Sequence, residues 1–297
     1  MSPPPTPKRA EKRPAASPTA TSVATLLASA AVTVSDPVRA ALEPLRAQPS
    51  DSAVLCDVDG TLAPIVPRYE DARLLDGAHE LLLRLRDRMR LLGFVSGRGL
   101  ADLDRMVGID GCAYAGNHGM ELRRPGERPR LAPGVAEHLA AIAGFAARWP
   151  AERLAEGGLR MEPKGATITV HAREAPDPVA ADLLLEAIAA DARAHGLVPT
   201  GGREVLEVRP PVAVDKGTAV RALLDGSGAR RAMYIGDDRT DADGWRALRA
   251  LREEGALDVA VAVAVTSEEV PTEVREAADV EVAGPPGALA ALEILAH

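Results

Sequence analysis

Three short apolar runs in this chain each end abruptly in acidic, hydroxyl or glycine residues. In chain order they are residues 54–56 before 57–61, residues 91–95 before 96–98, and residues 233–235 before 236–241. A short apolar run that a turn signal ends is typical of a buried strand. Between the first two runs, apolar residues from Ala78 to Met89 recur at the spacing of an amphipathic helix. A strand, a helix and a strand predict a βαβ unit, and hence a parallel sheet.

The rest of the pattern predicts an α/β fold in which a second unit interrupts the parallel core. Polar and Pro-rich residues follow a third predicted strand at 112–115, and residues 134–209 then predict the order helix, strand, strand, helix, strand. Alternation at 166–171 indicates an antiparallel sheet with one open face. We therefore divide the chain into a tail at 1–35, a first core part at 36–123, an inserted α/β domain at 124–210 and a second core part at 211–297.

The tail is predicted from composition. Residues 1–35 are rich in Pro, Ser, Thr and Ala and include four basic residues. Such a segment buries too little apolar surface to offset its chain entropy, so we expect disorder. A targeting peptide, which is also basic and poor in acids, is the alternative interpretation.

Charge and composition exclude several function classes. The net charge of −8, without a long basic stripe in the folded part, argues against a nucleic-acid partner. Aromatic residues make up only 2%, which argues against an aromatic sugar-stacking platform. Cys56 and Cys112 lie in apolar runs and are expected to be small buried hydrophobes. With no disulfide framework and no apolar run of membrane-spanning length, we expect a cytoplasmic protein without a membrane partner.

The end of the first strand carries the first candidate chemistry. Side chains two apart on a strand share a face, so the carboxylates of Asp57 and Asp59 can reach one site. In open α/β sheets, ligands bind at this carboxyl edge. Two such acids repel each other unless a cation or a shared proton intervenes, and Mg²⁺ prefers oxygen ligands. The alternative is an ordinary Asp-Gly turn.

Four motifs in this order resemble the haloacid dehalogenase (HAD) superfamily of phosphotransferases. They are Asp57-Val58-Asp59-Gly60-Thr61, Ser96-Gly97-Arg98, Asp215-Lys216-Gly217 and Gly236-Asp237-Asp238. The resemblance covers roughly residues 50 to 290. It implies a Rossmann-like parallel-sheet HAD core, and it implies that the inserted α/β domain is a mobile cap.

A narrower resemblance is to the trehalose-6-phosphate phosphatases. It rests on residues 59–66, 116–121, 162–164, 171–173, 207–210 and 240–243. Two departures are Asn117, where the family commonly has Ser, and Ala242, where it commonly has Glu. Neither departure lies in the four motifs that carry the chemistry.

The resemblance implies roles for the core residues. Asp57 is the nucleophile, Asp59 the general acid and base, Ser96 a phosphoryl ligand, and Lys216 the cation that neutralises phosphate. Mg²⁺ is held by the acidic residues Asp57, Asp59, Asp237, Asp238 and Asp241. The side chain of Asp59 stays free and its carbonyl is the ligand. The last two acids act mainly by orienting metal-bound water. The alternatives without a catalytic role are that Ser96 and residues 237–241 cap helices and that Lys216 is a solvated surface lysine.

Substrate contacts are implied on both sides of the site. The predicted substrate-binding residues are Gly60, Thr61, Gly97, Arg98, His118, Glu162, Lys164, His171, Arg173 and Glu207. Arg98 serves a phosphate or an acidic partner, and the five residues from the inserted domain are candidate sugar readers. A solvated, charge-paired strand face and an ordinary loop histidine at position 118 are the alternatives.

The leading hypothesis is therefore Mg²⁺-dependent hydrolysis of trehalose 6-phosphate through an aspartyl-phosphate. Three enzyme alternatives are a sucrose-phosphate type, a glucosyl- or mannosylglycerate-phosphate type and a phosphomutase. A different class is a non-catalytic regulatory partner of a synthase, against which the complete set of motifs argues. A trehalose-phosphate synthase is a possible partner of either.

Overall fold

The computed structural model describes residues 34–66, 68–202, 204–267 and 270–297, and these form two separate sheets with helices around them. The strands are β1 (Ser52–Cys56), β2 (Leu91–Val95), β3 (Ala113–Gly116), β4 (Glu121–Arg123), β5 (Arg130–Leu131), β6 (Arg160–Pro163), β7 (Ile168–His171), β8 (Val198–Gly202), β9 (Val205–Arg209), β10 (Arg231–Gly236), β11 (Val259–Thr266) and β12 (Val280–Ala283). The helices are α1 (Asp36–Ala47), α2 (Ala78–Arg88), α3 (Leu100–Val107), α4 (Leu139–Arg148), α5 (Ala151–Glu156), α6 (Pro178–Ala194), α7 (Lys216–Leu224), α8 (Asp241–Glu253), α9 (Thr272–Ala277) and α10 (Gly284–Leu295).

The main sheet has the strand order β12-β11-β10-β1-β2-β3-β4-β5. All its pairings are parallel except those of β4, which is antiparallel to both β3 and β5. The central strand β1 is buried on both faces, with Val54 and Cys56 in one apolar cluster and Ala53 and Leu55 in the other. Because β1, β2 and β10 are parallel neighbours, their carboxyl ends meet at one edge. The predicted parallel α/β core is confirmed.

The second sheet, which we call the cap sheet, has the order β6-β7-β9-β8 and is antiparallel throughout. One face is apolar and belongs to a core cluster that includes Phe145 of α4 and Ile188 of α6. The opposite face carries Glu162, Thr169 and Glu207 side by side, since these residues are register partners on β6, β7 and β9. The predicted antiparallel sheet with one polar face is therefore present.

Residues 134–209 contain two elements beyond the predicted order of helix, strand, strand, helix, strand. One is the short helix α5, and the other is the strand β8. The β8 sequence Val-Pro-Thr-Gly-Gly lacks the usual strand composition, and it is tolerated because β8 is an edge strand with a single neighbour. The hairpin of β4 and β5 extends the main sheet to Leu131. The predicted domain boundaries remain a proposal.

Most of the predicted tail lies outside the described residues. Its last two residues are described: Val34 is buried in the main apolar cluster, and the carbonyl of Ser35 accepts the N–H of Arg39 in α1. Both cysteines are buried and unpaired, as expected. Among the described helices, none combines the length and the apolar character that crossing a bilayer requires.

Candidate active site

Asp57 follows β1 directly and is buried, with 4% of its surface exposed. Its N–H donates to the carbonyl of Ile235 in β10 at 2.9 Å, so strand pairing continues one residue past β1. Gly60, in the turn that follows, has a φ of +84°, and a Cβ there would overlap the carboxylate of Asp237. The glycine therefore permits the first and fourth motifs to approach each other.

Lys216 lies at the centre of the acidic cluster and is 2% exposed. Its Nζ is 2.7 Å from Oδ1 of Asp241, 3.1 Å from Oδ1 of Asp57 and 3.7 Å from Oδ1 of Asp238. Burial opposes the charged amine, but the three carboxylates raise the pKa of Lys216 well above its usual value. Asp215 caps α7 and fixes the start of this helix.

The carboxylate of Asp241 is fully used by the protein. One oxygen accepts the N–H groups of Asp237 and Asp238, both at 2.9 Å. The other accepts Lys216 Nζ at 2.7 Å and the hydroxyl of Tyr234. Four donors occupy the lone pairs of a carboxylate. Asp241 is thus placed to orient the fourth motif and Lys216 rather than to bind a cation directly.

Asp57 and Asp237 are the better pair for a metal ion. Carboxylate oxygens of these two residues and Asp241 lie within 4.8 Å of one another. Burial, opposed by Lys216, raises the pKa of Asp57, and burial together with Asp238 raises the pKa of Asp237 to about 6. Neighbouring carboxyl groups with raised pKa values are unfavourable when both are ionised. A hard cation, which prefers oxygen ligands, would stabilise both carboxylates. The hydroxyl of Thr61 donates to Oδ1 of Asp237 at 3.0 Å and helps to orient it.

Asp238 points into its own turn instead. Its Oδ1 accepts the N–H of Thr240 at 2.8 Å and the N–H of Asp241 at 3.0 Å. These bonds are the helix capping that was the alternative interpretation of residues 237–241. They are compatible with the acidic cluster around Lys216.

The carboxylate of Asp59 is held away from the metal pair by Arg98. Arg98 Nε donates to Oδ2 of Asp59 at 2.6 Å and Nη2 donates to Oδ1 at 2.7 Å, a bidentate pair. Arg98 also donates to Asp102 at 2.6 Å and to the carbonyl of Tyr69 at 3.0 Å. Burial opposes the charge, but these acids raise the pKa of Arg98. The acidic partner predicted for Arg98 is therefore found.

The second motif joins the main sheet to the cap sheet. Ser96 is buried, and its Oγ accepts the N–H of Arg98 at 3.2 Å. The carbonyl of Gly97 accepts the ammonium of Lys164 at 3.1 Å. A Cβ on Gly97 would lie 2.7 Å from Nε2 of His118, so this glycine allows the close approach.

His118 and Glu207 face each other across the same boundary. His118 has a left-handed backbone with a φ of 56°, and its Nε2 is 3.6 Å from Oε1 of Glu207, beyond hydrogen-bond distance. Burial, with Lys216 and Arg209 nearby, lowers the pKa of His118 to about 3, so the ring is neutral. Nδ1 of His118, Oε1 of Glu207 and the hydroxyl of Thr169 are buried without a partner. Buried polar atoms of this kind fit a ligand with several hydroxyl groups.

The remaining predicted sugar readers divide into two groups. Oε2 of Glu162 lies 2.8 Å from Nε2 of His171 and 3.9 Å from the ammonium of Lys164, and these three side chains line the polar face of the cap sheet. Arg173 is exposed and pairs with Glu204 at 3.6 Å. Both residues of this pair line the cap side of an open cleft of about 680 Å³ whose other wall includes Gly60 and Asp237.

Three residues near the site have roles that the sequence did not indicate. Asn117 joins the two sheets, because its amide donates to Glu121 at 2.6 Å and to the carbonyl of Lys164 at 2.8 Å while accepting Thr167 at 2.9 Å. A serine hydroxyl, which carries a single proton, could not donate to both Glu121 and the carbonyl of Lys164. Tyr234 and Tyr69 were missed, since neither lies in a motif. One feature of the sequence that points to the site is its scarcity of lysine. Among the described residues only Lys164 and Lys216 are lysines, and both lie at this site.

Comparisons with known proteins agree with this arrangement. The family model described as trehalose-phosphatase matches residues 55–281. A trehalose-phosphate phosphatase of Mycobacterium avium is 37% identical over 202 residues, which are 66% of this chain and 51% of that protein. A Mycobacterium tuberculosis protein called an uncharacterized glycosyl hydrolase is 40% identical over 208 residues, 66% of this chain but 15% of that protein.

A solved structure extends the likeness to the fold. The C-terminal domain of the Candida albicans trehalose-6-phosphate phosphatase superposes with a TM-score of 0.66 at 22% identity, covering 89% of this chain and 98% of that one. This confirms the predicted α/β fold with a parallel core. The chain spans about half the length of the trehalose-phosphate phosphatases it matches, and less of the other relative. Since the family model covers most of the chain, and with it all four motifs and the cap sheet, this protein belongs to the trehalose-phosphatase family.

Proposed function

We propose that this protein is a phosphatase that hydrolyses trehalose 6-phosphate to trehalose and phosphate. One observation carries the proposal: the buried carboxylate of Asp57 lies beside the buried ammonium of Lys216, at the edge of the main sheet that Lys164 and Glu207 of the cap approach. The nucleophile and the cation suit phosphoryl transfer. The unpartnered polar atoms of the cap suit a substrate rich in hydroxyl groups.

The chemistry assigned to the residues has two steps. A carboxylate oxygen of Asp57 attacks phosphorus, the bond from phosphorus to the sugar oxygen breaks, and Asp59 gives a proton to the leaving oxygen. Asp59 then takes a proton from a water molecule that attacks phosphorus, which releases phosphate and restores Asp57. Arg98 occupies two of the four lone pairs of the Asp59 carboxylate, so two remain for a proton.

Mg²⁺, held by Asp57, Asp237 and the carbonyl of Asp59, would supply positive charge next to the phosphate oxygens. Lys216 would contribute further positive charge beside Asp57, and Ser96 would donate its hydroxyl to the transferring group. Asp241 would keep Lys216 and the fourth motif in position.

The proposal is tested by phosphate release from a panel of sugar phosphates with Mg²⁺ or with EDTA. We expect trehalose 6-phosphate to be the preferred substrate and chelation to stop turnover. A preference for sucrose- or glycerate-type phosphates would move the assignment to those phosphatases. If the protein hydrolyses none of these sugar phosphates in the presence of Mg²⁺, the result would support the alternative of a non-catalytic regulatory partner. The synthase partner and the cytoplasmic location stay predictions.

Glu162 provides a sharper test of the cap. Replacing Glu162 by Ala should lower kcat/KM for trehalose 6-phosphate by roughly ten- to a hundredfold, since a hydrogen bond to a charged group contributes about 1.5–3 kcal/mol. Hydrolysis of p-nitrophenyl phosphate, which lacks the sugar, should barely change. The same pattern is expected for Lys164→Ala. The exposed Glu174→Ala is the matched control, because among the described residues its side chain pairs with Arg68 alone, at 3.8 Å. A parallel fall with both substrates would show that Glu162 is structural.

A further inference from the structure

Tyr69 is the exception among the aromatic side chains. The chain has two Trp, three Tyr and two Phe. All but Tyr69 are buried, namely Phe94, Tyr114, Phe145, Trp149, Tyr234 and Trp245. Tyr69 is only partly covered and lies in a short 3-10 turn, Tyr69–Asp71, between the main sheet and the cap sheet. An aromatic ring kept at a boundary in a chain so poor in aromatics requires a reason.

The ring of Tyr69 contacts the cap. It stacks on His171 with a centroid distance of 5.6 Å and an angle of 14° between the planes. Cζ of Arg160 lies 5.1 Å from the ring centroid. Arg160 and His171 are register partners on β6 and β7, so the ring covers one cross-strand pair. Because protein groups occupy the ring, Tyr69 is not a stacking surface for the sugar.

The contact continues from His171 to a sugar reader. Nε2 of His171 lies 2.8 Å from Oε2 of Glu162. A ring that is stacked has less freedom to rotate, so Tyr69 also fixes the direction in which Glu162 presents its carboxylate. The neighbouring residue Glu70 adds to the contact between this turn and the cap sheet, because it pairs with Arg160 at 2.8 Å.

The main chain of Tyr69 serves the core instead. Its carbonyl accepts Nη2 of Arg98, which holds Asp59. Residue 69 therefore contacts the cap through its ring, and Arg98 through its carbonyl and, more distantly, through the same ring, whose centroid is 6.0 Å from Cζ of Arg98. A side-chain substitution removes the ring contacts and leaves the hydrogen bond from Arg98 to the carbonyl in place.

We propose that the Tyr69 ring is the seat on which the cap docks, and that it positions the His171–Glu162 pair for the sugar of the substrate. Tyr69 is a positioning residue in this proposal, which rests on the proposed function. Docking through an aromatic ring lets a cap release and return, since such a contact is worth only a small multiple of thermal energy.

The test compares Tyr69→Ala with Tyr69→Phe. Tyr69→Ala should raise KM for trehalose 6-phosphate and lower kcat/KM about tenfold, while hydrolysis of p-nitrophenyl phosphate stays within about twofold. Tyr69→Phe keeps the ring and should restore most of the loss. Arg68→Ala is the control from the same segment and should match the wild type. Equal losses on both substrates, or no rescue by Phe, would overturn the proposal.

A double substitution tests the route through His171. If Tyr69 acts through that ring, Tyr69→Ala combined with His171→Ala should lose no more than the larger single effect, whereas independent effects add. Additive losses would contradict the proposal.

Hydrogen exchange without substrate tests the docking role separately from the proposed function. The amides of β6 and β7 should exchange faster in Tyr69→Ala than in the wild type, whichever sugar phosphate is cleaved. Unchanged exchange would refute the docking role by itself.

Discussion

Replacing Asp57 by Asn is expected to reduce phosphate release to the background rate while the protein stays folded. The amide has the shape of the carboxylate but no nucleophilic oxyanion, and loss of a nucleophile costs about 10³- to 10⁶-fold in comparable covalent enzymes. Stability should be unchanged or higher without metal, because Asp57 is a buried carboxylate whose pKa burial raises next to three other acids. Steady-state phosphate release and a thermal melt in EDTA measure both effects.

Asp102→Asn is a suitable control for that experiment, since Asp102 contacts Arg98 but lies outside the metal pair. It should retain measurable turnover. An Asp57→Asn protein that melts like the wild type and still turns over at the normal rate would contradict the assignment of the nucleophile.

The second large effect is expected at Lys216. Lys216→Met keeps the length of the side chain but leaves Asp57 and Asp241 buried without their counter-charge. Breaking a buried ion pair in this way costs about 3–5 kcal/mol, which lowers the melting temperature by roughly 10 °C in a chain of this size. Turnover should also fall by at least about a hundredfold, because the charge that stabilises the transferring phosphate is lost.

Arg221→Met is the matched control for stability. Arg221 forms an exposed pair with Glu254 at 2.7 Å, and exposed pairs contribute little. It should melt within about 2 °C of the wild type. If Lys216→Met has the same melting temperature as Arg221→Met, the ammonium of Lys216 does not hold the acidic cluster together.

The parallel core was predictable because its signals are local. Strands such as β1, β2 and β10 are continuous apolar runs that turn residues end, and their order along the chain gives the parallel pairing. The cap was harder. Its edge strand β8 has Pro and two Gly, and it is a strand only because β9 supplies its hydrogen bonds. No pattern within residues 198–202 contains that information.

The site was predictable as a set of residues but not as a set of contacts. Spacing and motif order pointed to Asp57, Lys216 and Asp237. They did not show that Asp241 is saturated by four donors, or that Arg98 holds both oxygens of Asp59. Such facts depend on distances between elements far apart in the sequence. Tyr69 was missed for the same reason, because its partners His171 and Arg160 belong to the inserted unit.

The two lysines of the described chain give the molecule an unusual chemical reactivity. The other basic side chains among the described residues, histidine aside, are guanidinium groups, which acylating reagents for primary amines do not attack under mild conditions. Of the two ε-amino groups, that of Lys216 is buried at 2% exposure and kept protonated by its acids, so it is a poor nucleophile. The side chain of Lys164 is 13% exposed, and its amine lies on the carbonyl of Gly97 at the junction of main sheet and cap. Within the described residues, amine acylation is therefore expected to report on a single place, the Lys164 contact at the junction of main sheet and cap.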